Sequence, residues 1–247
     1  MTRSPPQLRI ALLLGALAAL ATAAVFPYLL AMKPGVLALS PIPPAAVIAA
    51  QALGNGVLYF LLAWAGLKLG APLGLGAPWL GAWLYRRARP ESSAWWLAIA
   101  LGIAAAAAIL AAVAVFGAPI ADGGLAHAPA AWKGLLAAPY GAVVEETGLR
   151  VFVMGVVAWL LARLTAGAPR AWLMIAAIVA AALLFGAGHL PLAAQLGRLD
   201  AATVARVIGY NAIAGLAFGG LYWKRGLEHA MLAHFCADLV LHVCAPV

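Results

Sequence analysis

Residues 143–153 read VVEETGLRVFV. Two glutamates and an arginine interrupt a run that is otherwise apolar. The chain has only 7 acidic residues in 247, and two of them are adjacent here. The surrounding apolar segment spans 132–164. As a helix at 1.5 Å per residue it would measure about 50 Å, against about 30 Å for the hydrocarbon core of a bilayer. It is expected to tilt, kink or project, with Pro139 as the kink point. Ionisable side chains are costly inside a bilayer and face a bundle interior, where partners and water can reach them. The stretch therefore predicts a polytopic bundle with further polar residues on other helices.

The composition agrees. Hydrophobic residues make up 66% and charged residues 9%, against about 45–50% and about 25% in soluble domains. The mean hydropathy is +1.03. Seven apolar segments can be counted, at 10–32, 45–69, 94–116, 132–164, 171–190, 203–223 and 227–243. The fold class expected is all-α, a transmembrane helical bundle of about seven helices. Residues 71–93 read as an interfacial stretch: Trp79, Trp83 and Tyr85 suit the headgroup level, and Arg86, Arg87 and Arg89 follow them. With the N-terminus inside, ten Lys and Arg residues lie on the inner side and Lys33, Lys133, Arg198 and Arg206 on the outer. This predicts an N-in, C-out topology. The first segment contains Ala21-Thr22-Ala23, which resembles a signal-peptidase site, but continues nine residues past it and reads as an uncleaved anchor.

The formal net charge is +8. Its basic residues sit at the ends of apolar runs, so the lipid bilayer is the expected partner and nucleic acid is not. Cys236 and Cys244, eight residues apart on one helix, are expected as buried free thiols. No 20–50-residue repeat is present.

Spacing sorts the intramembrane charges. Glu146 and Arg150 are i,i+4 and can pair on one helix face. Glu145 points about 100° away and is left as the free carboxylate. His189 follows Phe185 in FGAGH and lies near the expected end of its helix, before Pro191; Gly186 and Gly188 beside it would admit another helix. His234 and Asp238 are again i,i+4. A carboxylate and two imidazoles from three helices can do hydrolytic chemistry in two ways. Glu145 can act as general base with His189 while His234 and Asp238 stabilise an oxyanion. Alternatively Glu145, His189 and His234 can hold one divalent metal such as zinc. No H-E-x-x-H run demands the metal, and no cofactor is required by the sequence.

Other polar residues have plainer readings. Glu228 and His229, beside Lys224 and Arg225, read as a headgroup-level cluster. His127 and His242 read as bystanders. Tyr210 and Asn211 could line a cavity or bond to neighbouring helices, and Gly215 with Gly219 reads as a packing face.

EETGLR at 145–150, FGAGH at 185–189 and HFCAD at 234–238 together resemble the motifs E-E-x-x-x-R, F-x-x-x-H and H-x-x-x-N/D of the CAAX protease and bacteriocin-processing family. These are intramembrane proteases related to the Ras-converting prenyl endopeptidase. The sequence around the motifs resembles the family over about 132–243, with Leu149 and Val151 where Phe and Gly are common. The resemblance implies an N-terminal helical part at 1–131 and a catalytic core at 132–247. It implies Glu145 as catalytic glutamate, His189 as its partner in activating water, and His234 with Asp238 as the oxyanion pair. Glu146, Arg150 and Phe185 would support the site. Asp238 stands where many members have Asn, so it must be protonated, orient His234 or bind metal. The implied substrate is a peptide or membrane-anchored protein. Some members are immunity or scaffold proteins, and a proton-coupled transporter could use the same buried charges. The Ala-, Gly- and Arg-rich composition suits a GC-rich bacterial genome, hence an inner-membrane location and a substrate without a prenyl group.

Overall fold

In a bilayer no water is available to backbone N–H and C=O groups, so apolar segments close their hydrogen bonds internally as helices. The computed structural model describes residues 7–35, 37, 41–119, 129–165 and 171–245. Among them are seven helices long and apolar enough to span a membrane, and no strand. The spans are α1 (Leu8–Met32), α2 (Pro44–Gly70), α4 (Trp95–Phe116), α5 (Ala131–Leu164), α6 (Ala171–Leu196), α7 (Ala201–Arg225) and α8 (Leu227–Cys244). The short helix α3 (Pro78–Leu84) lies between α2 and α4. The all-α bundle read from the sequence is thus the observed fold.

Successive spans run antiparallel. The ends at Arg9 and Tyr85 meet on one edge, where the Arg9 backbone N–H donates to the Tyr85 hydroxyl at 3.0 Å. On the opposite edge Lys33 donates to Gln195 at 2.6 Å, and Arg206 donates to the Phe116 carbonyl at 3.3 Å. Asp200 caps α7 by accepting the Thr203 N–H at 2.8 Å, the arrangement expected of an Asp before a helix.

Small residues set how closely the helices approach, since bilayer helices associate through packing rather than water exclusion. A methyl on Gly215 would lie 2.8 Å from the Ala182 Cβ, and one on Gly219 2.8 Å from Ile178 Cγ2. That is the α7–α6 packing face read from the sequence. Gly186 takes part, since a methyl there would sit 2.6 Å from the Ile208 Cα; Gly188 faces open space and does not. Helix α8 is central, packed on α4, α5 and α7. Tyr210 donates to the Gly117 carbonyl at 2.7 Å and so ties α7 to the end of α4, whereas Asn211 bonds within its own helix to Val207.

Three local expectations are corrected. Helix α6 does not end at 190 but runs through Pro191 to Leu196, so His189 lies inside a helix and is no end cap. Pro191 forfeits one backbone bond, a loss the flanking turns tolerate. Glu228 and His229 are not a solvated cluster. Glu228 Oε1 accepts the Leu80 N–H at 2.7 Å, and His229, 1% exposed, stacks on Trp95 with ring centroids 4.2 Å apart. Both fasten the 71–94 stretch to the start of α8. The cysteines are free but not fully buried: Cys236 is half-buried and Cys244 exposed. His127, like Arg3 and Arg170, lies outside the described residues.

Helix α5 absorbs its excess length by changing its winding. It is α-helical to Pro139, has π-helical winding over Tyr140–Glu145 and Thr147–Met154, and returns to α-helix at Gly155. Proline has no N–H to close the ordinary ladder, and the wide turn begins directly after it. Two π segments thus follow the expected kink point at Pro139: Glu145 lies in the first, Arg150 in the second and Glu146 between them.

Candidate active site

The three sequence motifs converge. Glu145 comes from the π segment of α5, His189 from α6, and His234 and Asp238 from α8. Glu145 Oε1 lies 3.9 Å from His189 Nε2, and Glu145 Oε2 lies 3.5 Å from His234 Nε2. His234 Nε2 is in turn 3.6 Å from Asp238 Oδ1. These separations are longer than direct hydrogen bonds. Two acceptors 3.9 Å apart can share one water about 2.8 Å from each.

Second partners fix the imidazoles. His189 Nδ1 is 2.9 Å from the Phe185 carbonyl. A carbonyl only accepts, so Nδ1 carries the proton, and Nε2 of the neutral ring presents a lone pair toward Glu145. His234 Nδ1 donates in the same way to Glu146 Oε1 at 2.9 Å. The Phe185 ring stands edge-on to His189 at 4.9 Å and to His234 at 5.7 Å, with the Arg150 guanidinium 5.6 Å from its centroid. Phe185 thus touches both motif histidines and the arginine, which gives a physical reason for a phenylalanine four residues before His189. Phe218 stacks on the other side of His234 at 4.7 Å.

The sequence reading divided the two glutamates into one structural and one chemical. Glu146 does pair with Arg150, Nε to Oε2 at 3.2 Å, and both side chains are sealed from solvent. Its other oxygen, however, holds His234. Glu146 is therefore the link between the ion pair and the site, a role that spacing along one helix could not reveal. Glu145 and His189 remain 24% and 34% accessible, so the reactive side of the cluster is reachable and the supporting side is not.

Two further features escaped the sequence reading. His242, expected as a bystander, places Nε2 3.8 Å from Asp238 Oδ1, and its Nδ1 shares a hydrogen bond with the Tyr28 hydroxyl at 3.1 Å. The i,i+4 spacing from Asp238 was the available signal. Tyr28 comes from α1, so the N-terminal helices contribute directly to the site. Gly141, one π turn before Glu145, passes against the α8 pair. A Cβ there would lie 2.7 Å from His234 Nε2 and closer still to Asp238 Oδ2. Gly141→Ala is expected to displace both groups and lower any hydrolytic turnover by at least roughly tenfold, the scale of a small misplacement at a site. Its melting temperature, measured alongside, should fall far less than that of a broken buried ion pair.

A family model described as type II CAAX prenyl endopeptidase Rce1-like matches residues 127–240. The chain carries an Rce1-like domain. No curated protein and no solved structure matches the chain. The Rce1-like match spans all three motifs and extends over α5 to α8. The matched family is a protease family, and the seven apolar helices mark an integral membrane protein.

The donors of the Rce1-like domain resemble metal ligands in kind, two imidazoles each held from behind by an oxygen. Among the described residues, however, no three His, Cys, Asp or Glu side chains are arranged to hold a metal ion.

Proposed function

We propose that the protein is an intramembrane endopeptidase that hydrolyses a peptide bond of a peptide or membrane-anchored protein. The observation carrying this reading is the meeting of Glu145, His189 and His234 from three helices, with Glu145 between the two imidazole Nε2 atoms at 3.9 and 3.5 Å. Glu145 takes a proton from a water held between it and His189 Nε2, and the hydroxide attacks the scissile carbonyl. The tetrahedral oxyanion needs a donor. His234 supplies it from Nε2–H when its ring is doubly protonated, with Nδ1–H held by Glu146. Asp238 sits beside Nε2, where it orients and charge-balances the ring. In its protonated form it donates to the oxyanion, as an asparagine would. Glu145 then returns its proton to the leaving amine. The N-terminal, more basic edge faces the cytoplasm of a bacterial inner membrane.

Cleavage of a membrane-anchored peptide by the purified protein in proteoliposomes tests the reading. Wild type is expected to cleave, and His189→Ala and His234→Ala to lose roughly 10²–10⁴ in turnover. Full activity in both variants would sink the proposal. A chelator arm separates the chemistries: activity lost on chelation and restored by zinc would replace the metal-free scheme with a metal-dependent one.

A further inference from the structure

The 71–94 stretch is bolted to the bundle, and the peptidase reading gives it no task. Leu80 N–H donates to Glu228, Leu227 N–H donates to the Gly76 carbonyl at 3.0 Å, and Arg225 donates to the Ser92 hydroxyl at 3.0 Å. His229 Nε2 also bonds the Ser93 carbonyl. The same stretch forms a cavity of about 600 Å³ lined by Trp79, Ala82, Trp83, Arg86, Arg87 and Arg89. Its chemistry is one-sided. The three arginines are exposed, and none forms an ion pair with a carboxylate among the described residues. Arg86 adopts a left-handed backbone conformation, φ 51°, unusual for a side-chain-bearing residue. That turn carries the chain from α3 into the basic run. Trp79, on the cavity wall, has an indole N–H with no acceptor.

We infer that this cavity binds the phosphate headgroup of an anionic membrane lipid. Its position favours a lipid over other anions. The cavity lies at the ends of the spanning helices, on the edge that also carries Arg9, Lys68, Lys224 and Arg225. Trp83 and Trp96 beside it are 68% and 82% exposed. Large amphipathic rings exposed at helix ends belong at the headgroup level, where anionic lipids meet basic residues. A guanidinium is opposite in charge to a phosphodiester, and its fork of N–H donors fits the phosphate oxygens. The cavity is also larger than a bare phosphate ion requires, and its indole walls suit the glycerol and upper acyl region.

The test uses the full chain purified from vesicles of phosphatidylcholine with phosphatidylglycerol as the minor component, with retained lipid counted by native mass spectrometry. Wild type should retain phosphatidylglycerol selectively. R86Q/R87Q/R89Q should retain it at least roughly tenfold less, since each basic residue near the surface contributes severalfold. R86K/R87K/R89K, which keeps charge but loses the fork, should fall in between. K133Q/R198Q on the opposite edge is the control. Retention unchanged in the glutamine variant, or reduced equally in the control, overturns the site. Displacement of phosphatidylglycerol by inorganic phosphate at equal concentration would show a free-anion site and also overturn it. Of the five positions changed, Arg86, Arg87, Arg89 and Arg198 are exposed and Lys133 is half-buried, and a melting curve for each variant shows that it is folded.

Discussion

Replacing Glu145 with glutamine is expected to lower peptide cleavage by roughly 10²–10⁴ while leaving the fold intact. The geometry separates the two effects. Glu145 is 24% accessible, and its nearest imidazole nitrogens lie at 3.5 and 3.9 Å, beyond firm hydrogen bonds. Little native stabilisation therefore depends on its charge. Its chemistry does, because an amide cannot take a proton from water at neutral pH. The melting temperature of Glu145→Gln should stay close to that of the wild type, and a fall comparable with a buried-pair variant would mean that Glu145 is structural.

Glu146→Gln should behave in the opposite sense and then fail to recover fully. Glu146 and Arg150 have no accessible side-chain surface, and the Arg150 Nη1 and Nη2 atoms have no other hydrogen-bond partner. Removing the carboxylate charge strands a guanidinium in the bundle core, a change that costs about 3–5 kcal/mol for buried pairs. For a chain of this size the melting temperature should drop on the order of 10 °C. Replacing both residues, Glu146→Gln with Arg150→Met, removes the stranded charge and should restore much of the stability. Activity should not return with it, because His234 Nδ1 has then lost its carboxylate at 2.9 Å. Recovery of both together would reduce Glu146 to a purely structural partner.

The contrast between the glutamates shows what the sequence could carry. Charges in apolar runs stand out, so Glu145, Glu146, Arg150, His189, His234 and Asp238 were legible, as were the helices that hold them. Apolar length located the seven spans to within a few residues at most ends. Contacts between helices were not legible in the same way. The bond from Glu146 to His234 joins residues 88 apart in sequence. The pressure of Gly141 on Asp238 depends on a π segment that periodicity assuming α-helical winding does not anticipate. Pro191 read as a stop because a proline weakens any helix, yet the helix runs on through it to Leu196. Glu228 and His229 read as solvated because basic neighbours follow the same turn, while their partners, Leu80 and Ser93, lie far back in the chain.

The central claim is that Glu145 and His189, from α5 and α6, act on one water as a unit. A double-mutant cycle on kcat/KM for peptide cleavage measures this directly, using Glu145→Gln, His189→Ala and the double variant. Groups that act as a unit lose their function together, so the account predicts that the double variant is about as impaired as either single one. Losses that multiply, or a single variant that retains full activity, would contradict it.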